Sequence, residues 1–423
     1  MHDHTSSRRR TLLPFMTAVA ALGLVVSGCG SQVSTASGGS ASASVKSCVD
    51  TSGSKIKIGF INSLSGTMAI SEKTVRDSLD MAADEINKSG GVLGKQLDVQ
   101  AADGASDPNT FAQKADQLIR QNCVAAVFGG WTSASRKAMK PVFEKDNSLL
   151  YYPVQYEGME SSPNIYYTGA APNQQIVPAL DWMKSKGFKK LFLVGSDYVF
   201  PRTANKIIQA YAKANGMTVV DEQYVPLGGT DFTTIVNKLK DSGADAVFNT
   251  LNGDSNVAFF RQFASMGFNS TTMPTISVSI AEQEIPGVGL DNLKGQYTAW
   301  DYYQTLDTEQ NKKFVSDFKA RYGQDRVTSD PMEAAYVSLY LWKAAVEKAN
   351  SFDVDKVKAN SDGISFDAPE GKVTVDGENH HVYKTPRIGQ VNSAGLIDTI
   401  WQTPSPLKPD PYLKDYDWAK GLS

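Results

Sequence analysis

The sequence predicts an α/β protein of two doubly wound, Rossmann-like lobes joined by a hinge. Three observations carry that prediction. From Lys55 onward, short β-branched runs alternate with amphipathic helical stretches, the pattern of parallel strands covered by helices. The alternation restarts near Lys190 after an irregular stretch, giving two series that are each long enough for a sheet. A chain of 423 residues also holds about two domains of ordinary size, roughly 100 to 200 residues each.

The first series opens with an apolar run at 56–61, which ends at Asn62-Ser63-Leu64-Ser65-Gly66-Thr67. The helix that follows carries Val75, Leu79, Ala82 and Ile86 on one face and stops at Gly90-Gly91, the spacing of a helix packed on a sheet. A strand at 96–101 leads to Asp107-Pro108, a cap with proline at the first helical position, and to a helix that buries Phe111, Ala115, Leu118 and Ile119. A strand at 124–128 then feeds the loop Gly129-Gly130-Trp131-Thr132-Ser133-Ala134-Ser135-Arg136, and a helix is expected at 137–146. A strand at 149–154 turns away at Gln155-Tyr156-Glu157-Gly158, and 164–173 reads as an extended crossing segment.

The second series places strands at 190–195, 217–224 and 246–251 and helices at 203–215, 231–242 and 256–266, with further strands near 275–278 and 295–300. After Asp301, helices at 309–322 and 330–350 are expected to return to the first lobe. Gly371-Lys372-Val373-Thr374-Val375 and the stretch 388–401 read as antiparallel strands of the second. These assignments give residues 55–173 with 303–366 as lobe 1 and 174–302 with 367–423 as lobe 2. Three crossings make a hinge, and a hinge makes a cleft that closes on a ligand.

Composition narrows the function. Hydrophobic content of 41% and charged content of 21% fit a globular core. A net charge of -3 gives no reason to expect nucleic acid. Of the 4 histidines, His2 and His4 lie at the N-terminus, and His380 and His381 are adjacent in a polar hairpin, facing opposite ways. No metal site and no cofactor are expected. No Gly-x-Ser-x-Gly elbow or Cys-x-x-Cys is present, and Gly287-Val288-Gly289 lacks the third glycine of a dinucleotide fingerprint. With no activated nucleophile or metal-bound water to assemble, an enzyme is not expected.

Residues 1–28 read as a targeting segment, with Arg8-Arg9-Arg10 before an apolar run at 12–26. The closing Val26-Ser27-Gly28-Cys29 resembles the lipobox of bacterial lipoproteins, which implies lipidation at Cys29 and anchoring to the outer face of the cell membrane. A plain cleaved signal is the alternative, and the export route, general or twin-arginine, stays open. Residues 29–54 form the anchor and a flexible tether rich in Ser, Gly and Ala. With Cys29 taken by the lipid, Cys48 and Cys123 are the remaining pair of the 3 cysteines. In an oxidising compartment they form a disulfide, or else stay as two unpaired thiols.

The run 129–175, GGWTSASRKAMKPVFEKDNSLLYYPVQYEGMESSPNIYYTGAAPNQQ, together with GSDYVFPRTAN at 195–205 and IWQTPSPLKPDPY at 400–412, resembles the urea- and amide-binding branch of the type I periplasmic binding proteins. The resemblance covers almost everything from Lys55 to Tyr412. It implies capture of urea or a short amide in the inter-lobe cleft and delivery to the permease subunits of an ABC transporter, by a monomer. A tethered amide sensor is the alternative, since it would use the same cleft.

Urea is flat and neutral, with one acceptor oxygen and four N–H donors, so its receptor needs donors at one end, acceptors around the rest, and dry walls. Ser133, with Thr132 and the amides beside it, is a candidate for the oxygen; a helix N-cap is its other reading. Trp131 is a candidate to stack on the planar face, or else to pack in the core. The resemblance puts Tyr152 in the pocket with Val154 or Gln155, where the amide sensor has threonine and proline, and adds Tyr198 from the second lobe. Asp254 is a candidate acceptor for ligand N–H groups, or an N-cap. Asp301 and Glu282 are weaker candidates, read as solvated loop charges. Tyr151, Tyr152 and Tyr156 cannot all point inward from one strand.

Overall fold

The computed structural model describes residues 47–422. The expected signal segment, most of the tether and Cys29 lie outside the described residues. β1 (Lys55–Asn62) leads into α1 (Ala69–Lys88), β2 (Gln96–Asp103), α2 (Pro108–Arg120) and β3 (Val127–Gly129). α3 (Ser133–Lys145), β4 (Leu150–Tyr152) and β5 (Ile165–Tyr167) complete the first series. The second runs α4 (Ile176–Ser185), β6 (Lys190–Ser196), α5 (Val199–Ala214), β7 (Thr218–Val225), α6 (Thr233–Asp241), β8 (Ala246–Thr250), α7 (Ser255–Ser265) and β9 (Thr275–Ser277). Two short helices, α8 (Ile285–Val288) and α9 (Leu290–Leu293), precede β10 (Tyr297–Trp300). The chain then gives α10 (Glu309–Tyr322), α11 (Asp330–Ala349), α12 (Val354–Ser361), β11 (Ser365–Ala368), β12 (Gly371–Asp376), β13 (His381–Tyr383), β14 (Arg387–Val391) and β15 (Ile397–Gln402).

The strands form two sheets, in the orders β11-β12-β13-β5-β4-β3-β1-β2 and β15-β14-β10-β9-β8-β6-β7. Each has a parallel core with an antiparallel extension, so the two doubly wound lobes are present. Both reverse strand order beside their first strand, β1 in one and β6 in the other, the place where such sheets bind ligands. The first core gathers Ile58, Phe60, Phe128 and Leu150 with Phe318, Leu339 and Trp342 of the returning helices. Helices α4 and α5 cover one face of the second sheet around Leu180, Ile208 and Phe248, and α6 and α7 cover the other around Phe259 and Val194. Among the described residues no helix is long and apolar enough to cross a membrane.

The hairpin at 371–383 departs from expectation. It extends the first sheet, not the second, because β13 pairs with β5 at His381 and Tyr167 and Val373, Val375 and Val382 bury in the first core. The chain returns to the second lobe only at 384–387, so the boundary placed at 366 moves to the end of β13. Helix α4 fills a stretch left without an assignment. Helix α3 begins four residues earlier than expected, with Thr132 as its cap. Cys48 and Cys123 are joined by a disulfide, with their Cα atoms 5.3 Å apart.

Candidate functional site

Loops leaving the carboxyl ends of strands in both sheets meet one another. The Asp254 N–H, after β8, donates to the Thr67 carbonyl after β1 at 3.2 Å. The Gln155 side-chain amide, after β4, donates to the Val278 carbonyl after β9 at 2.7 Å. Glycine makes the first contact possible. Gly253 takes φ +60°, and a Cβ there would sit 2.6 Å from the Thr67 carbonyl oxygen. At the centre, Gly129 and Gly130 have φ of +119° and +82°, and a Cβ on Gly129 would lie 2.2 Å from the Ile61 carbonyl. Only glycine lets the end of β3 pass so close to β1.

On the first lobe the floor of the cleft is a buried ion cluster that the sequence reading did not name. Arg136, in the first turn of α3, is fully buried. Its guanidinium reaches Glu160 at 2.8 Å and Glu157 at 3.2 Å and donates to the Ser133 hydroxyl at 3.0 Å. It lies over the rings of Tyr156, Tyr152 and Tyr167 at 4.5, 5.0 and 5.8 Å. Burial alone would make this guanidinium give up its proton more readily, but Glu157 and Glu160 outweigh that and hold it charged. Against the cost of its own burial, Arg136 with Lys137 brings the Glu160 carboxyl down to about 2. His381 stacks on Tyr167 with ring centroids 4.3 Å apart, and burial drives it down to about 3, so it is neutral. His380 stacks instead on Tyr166, consistent with adjacent residues facing different ways.

The structure places the named residues as follows. Ser133 is buried, but its hydroxyl is engaged by Arg136 and donates to Glu157. The cap of α3 is Thr132, whose hydroxyl accepts the Ser135 N–H at 3.1 Å, so Ser133 is not the N-cap. Trp131 is buried with the first core, and its indole N–H finds no acceptor among the described residues. The Tyr152 hydroxyl donates to the Trp131 carbonyl. Val154 is wholly buried. Gln155 crosses between the lobes, and its carbonyl oxygen is left without a donor. The ring of Tyr198 is partly exposed, while burial raises its hydroxyl well above the ordinary range, with Tyr152, Glu157 and Glu72 of the other lobe adding to the shift and Arg136 opposing it.

Asp254 does not join them. Its side chain is exposed and makes no cap bond at the start of α7; only its backbone spans the lobes. Asp301 and Glu282 are also corrected, since both are wholly buried and not solvated loop charges. Asp301 sits in the hinge, 3.9 Å from the Lys384 amine. Glu282 accepts the Gln304 N–H at 2.8 Å, and burial pushes it up to about 8.

The residues that line the meeting loops carry several buried polar atoms with no partner among the described residues. They are both side-chain atoms of Asn62, the Ser71 hydroxyl, one oxygen of Glu72, the Trp131 indole N–H, the Gln155 and Gln283 carbonyl oxygens, and the hydroxyls of Ser255 and Ser279. Buried polar groups are nearly always paired, so their concentration at strand ends marks this cleft as the candidate site. Sequence reasoning missed Asn62, Glu72 and Gln283. The signal for Asn62 and Glu72 was their place at the carboxyl end of the first strand and in the first turn of the helix that follows it, the kind of strand-to-helix connection that singled out Trp131.

Comparison with known proteins agrees with this geometry. The family described as periplasmic binding protein domain matches residues 56–417. The Leu/Ile/Val-binding protein homolog 6 of Brucella melitensis is 26% identical over 348 residues, 80% of this chain and 88% of that protein. A solute-binding protein of an ABC transporter from Rhodopseudomonas palustris HaA2, solved with p-hydroxybenzoic acid, superposes with a TM-score of 0.77 at 24% identity, covering 84% of this chain and 98% of that one. A leucine-binding protein from Thermotoga maritima gives 0.74 at 20% identity, covering 82% and 98%. Two doubly wound lobes, a switch-point cleft between them and a family match over most of the length lead to one conclusion: the chain belongs to the periplasmic binding protein family.

Proposed function

We propose that the chain is an extracytoplasmic solute-binding protein of an ABC transporter that takes urea, or a short amide, into the cleft between its lobes and presents it to permease subunits. The observation that carries this reading is the balance of unpartnered cleft atoms. Apart from the Glu72 carboxyl, oxygens outnumber nitrogen donors: the side-chain oxygens of Asn62, Gln155 and Gln283 stand against the Trp131 indole N–H and the Asn62 amide, with hydroxyls able to serve either way. A ligand with many N–H groups and one oxygen matches that count.

The charges favour a neutral ligand. The buried guanidinium nearest the cleft, Arg136, is already committed to Glu157 and Glu160. A carboxylate such as the p-hydroxybenzoate or leucine of the relatives would meet no uncommitted lysine or arginine among the cleft residues named above. Within this reading Trp131, Tyr152, Gln155 and Tyr198 form the walls, and Ser133 with Thr132 shapes the first of them. Lipid attachment at Cys29 belongs to the same proposal and rests on the Val26-Ser27-Gly28-Cys29 sequence.

Calorimetric titration with urea, formamide, acetamide, leucine and p-hydroxybenzoate tests the ligand class. The expected result is saturable binding of urea or a short amide, with a matching rise in melting temperature, since a ligand that binds only the folded state stabilises it by mass action. Binding of leucine or the benzoate alone would overturn the amide reading and leave the transport reading standing.

A further inference from the structure

Glu72 has no role in the reading so far, yet it is the most conspicuous group in the cleft. It lies in the first turn of α1 and is 0% exposed. One carboxyl oxygen, Oε2, accepts the Ser63 N–H at 2.6 Å. The other, Oε1, has no hydrogen-bond partner among the described residues. Tying down the turn after β1 explains the first oxygen and leaves the second without a purpose, and an unpaired oxygen at full burial is costly. The start of α1 faces the second lobe, because the Thr67 carbonyl just before it accepts the Asp254 N–H at 3.2 Å and Ile70 in its first turn packs against Gly287. Asn62, whose side-chain atoms also find no partner among the described residues, ends β1 next to Ser63.

The charge state follows from the surroundings. Among the described residues no lysine, arginine or histidine pairs with Glu72. The charged group that bears on it is Asp103, which is itself negative. A carboxyl buried among neutral groups and a like charge keeps its proton, and burial does push this one up to about 8. With Oε2 held as acceptor by Ser63, the proton belongs on Oε1.

We propose that Glu72 is a specificity-determining ligand contact, a neutral carboxylic acid whose Oε1–H donates to the carbonyl oxygen of the bound amide. The inference rests on the amide reading above. It explains how a cleft rich in acceptors still offers a strong donor to the one oxygen of the ligand, and why that donor stands on an element far in sequence from the 129–175 run. A glutamine at this position would reproduce the arrangement, with its oxygen on the Ser63 N–H and its NH2 where the O–H stood. Neither methionine nor alanine would.

The test compares the full chain with Glu72→Gln, Glu72→Met and Glu72→Ala by calorimetry against urea, formamide and acetamide at neutral pH. The expected result is that Glu72→Gln stays within about threefold of the parent, while the methionine and alanine variants weaken the same ligand at least tenfold with melting temperatures near the parent's. Parental affinity in either apolar variant overturns the inference, as does a Glu72→Gln loss equal to theirs, and both leave the amide reading intact. A parent chain that binds none of the three amides removes the amide reading, and this inference with it. Should both apolar variants fail to fold, thiourea decides the matter on the parent and Glu72→Gln, because its sulfur is a poor acceptor. Binding at least tenfold weaker than urea to both supports the donor, and equal binding overturns it.

Discussion

Replacing Arg136 by methionine tests the floor of the cleft most directly. Methionine keeps much of the unbranched stem, so the change removes the guanidinium with little loss of volume. The loss falls unevenly. Glu160 keeps Lys137 at 2.8 Å and the Tyr167 hydroxyl at 2.9 Å. Glu157 keeps only the Ser133 hydroxyl and loses its one cation, and three aromatic faces lose the charge resting against them. Removing one partner of a buried pair costs about 3–5 kcal/mol, and Glu157 puts this site in that range. For a chain of this size that corresponds to a fall of roughly 4–6 °C in melting temperature, read by calorimetry, since urea as denaturant would also be the proposed ligand. Adding Glu157→Gln should recover part of the loss, because it removes the stranded charge. A single-variant loss below about 1 kcal/mol, or a double variant no better than the single, would refute the view that Arg136 and Glu157 neutralise one another beneath Ser133.

Three further outcomes follow from the same physics. Burial raises Glu72 and Glu282 to about 8 and Glu284 to about 7, all from 4.5, so between those limits the folded chain binds more protons than the unfolded one. Stability therefore falls as pH rises from about 5 toward 8, and a melting curve at pH 8 displaced above that at pH 5.5 would contradict the assignment. Glu160, lowered to about 2, acts oppositely and sends stability down again as pH drops from 4.5 toward 2. Replacing both Cys48 and Cys123 by serine opens a loop of sequence separation 75 and should cost about 2–4 kcal/mol, checked by parallel melts with and without reductant. Lys384→Met should cost about 3–5 kcal/mol, because it strips the cation from Glu370 at 2.7 Å at full burial; a melt unchanged from the parent would show the hinge acids to be fully protonated without it.

What the sequence revealed and what it hid have separate physical causes. The loop at 129–136 was legible because an apolar run followed by glycines and hydroxyls is a local pattern, which singled out Trp131 and Ser133, while Tyr152, Gln155 and Tyr198 came from the family resemblance. The hairpin at 371–383 went to the wrong lobe because alternation along a strand reports burial and not which sheet provides it; the deciding contact, His381 beside Tyr167, joins residues more than two hundred positions apart. Helix α4 was hidden behind Pro172 and Pro178, which read as loop, although Ile176, Leu180 and Met183 bury at helical spacing. Asp254 was misjudged for the opposite reason. A loop residue after a strand invites a ligand role, but here the backbone makes the contact and the carboxylate turns to solvent. The wholly buried acids Glu282 and Asp301 looked like ordinary surface charges, and Glu72 drew no reading at all, because burial is not written in residue type.

The hinge links these observations to closure. Its three crossings are not independent linkers. The Lys384 amine, in the third, donates to the Thr168 carbonyl at the first at 3.3 Å and lies 3.9 Å from Asp301 at the second. Arg387 donates to the Asp301 and Glu370 carbonyls, and Asp330 accepts the N–H groups of Asp301 and Tyr302, both at 2.9 Å. Segments pinned this way cannot splay apart one at a time, so any opening must rotate one lobe about a fixed axis. Rotation about a buried hinge separates the far side of the cleft most and the near side least. The contacts it breaks first are then the sparse polar ones between Thr67 and Asp254 and between Gln155 and Val278, while the ion cluster beneath Ser133 travels intact with its own lobe. A ligand that pairs the bare atoms of Asn62, Glu72, Gln155 and Ser255 supplies bonds to both lobes at once, and by binding the closed arrangement better than the open one it shifts the equilibrium toward closure.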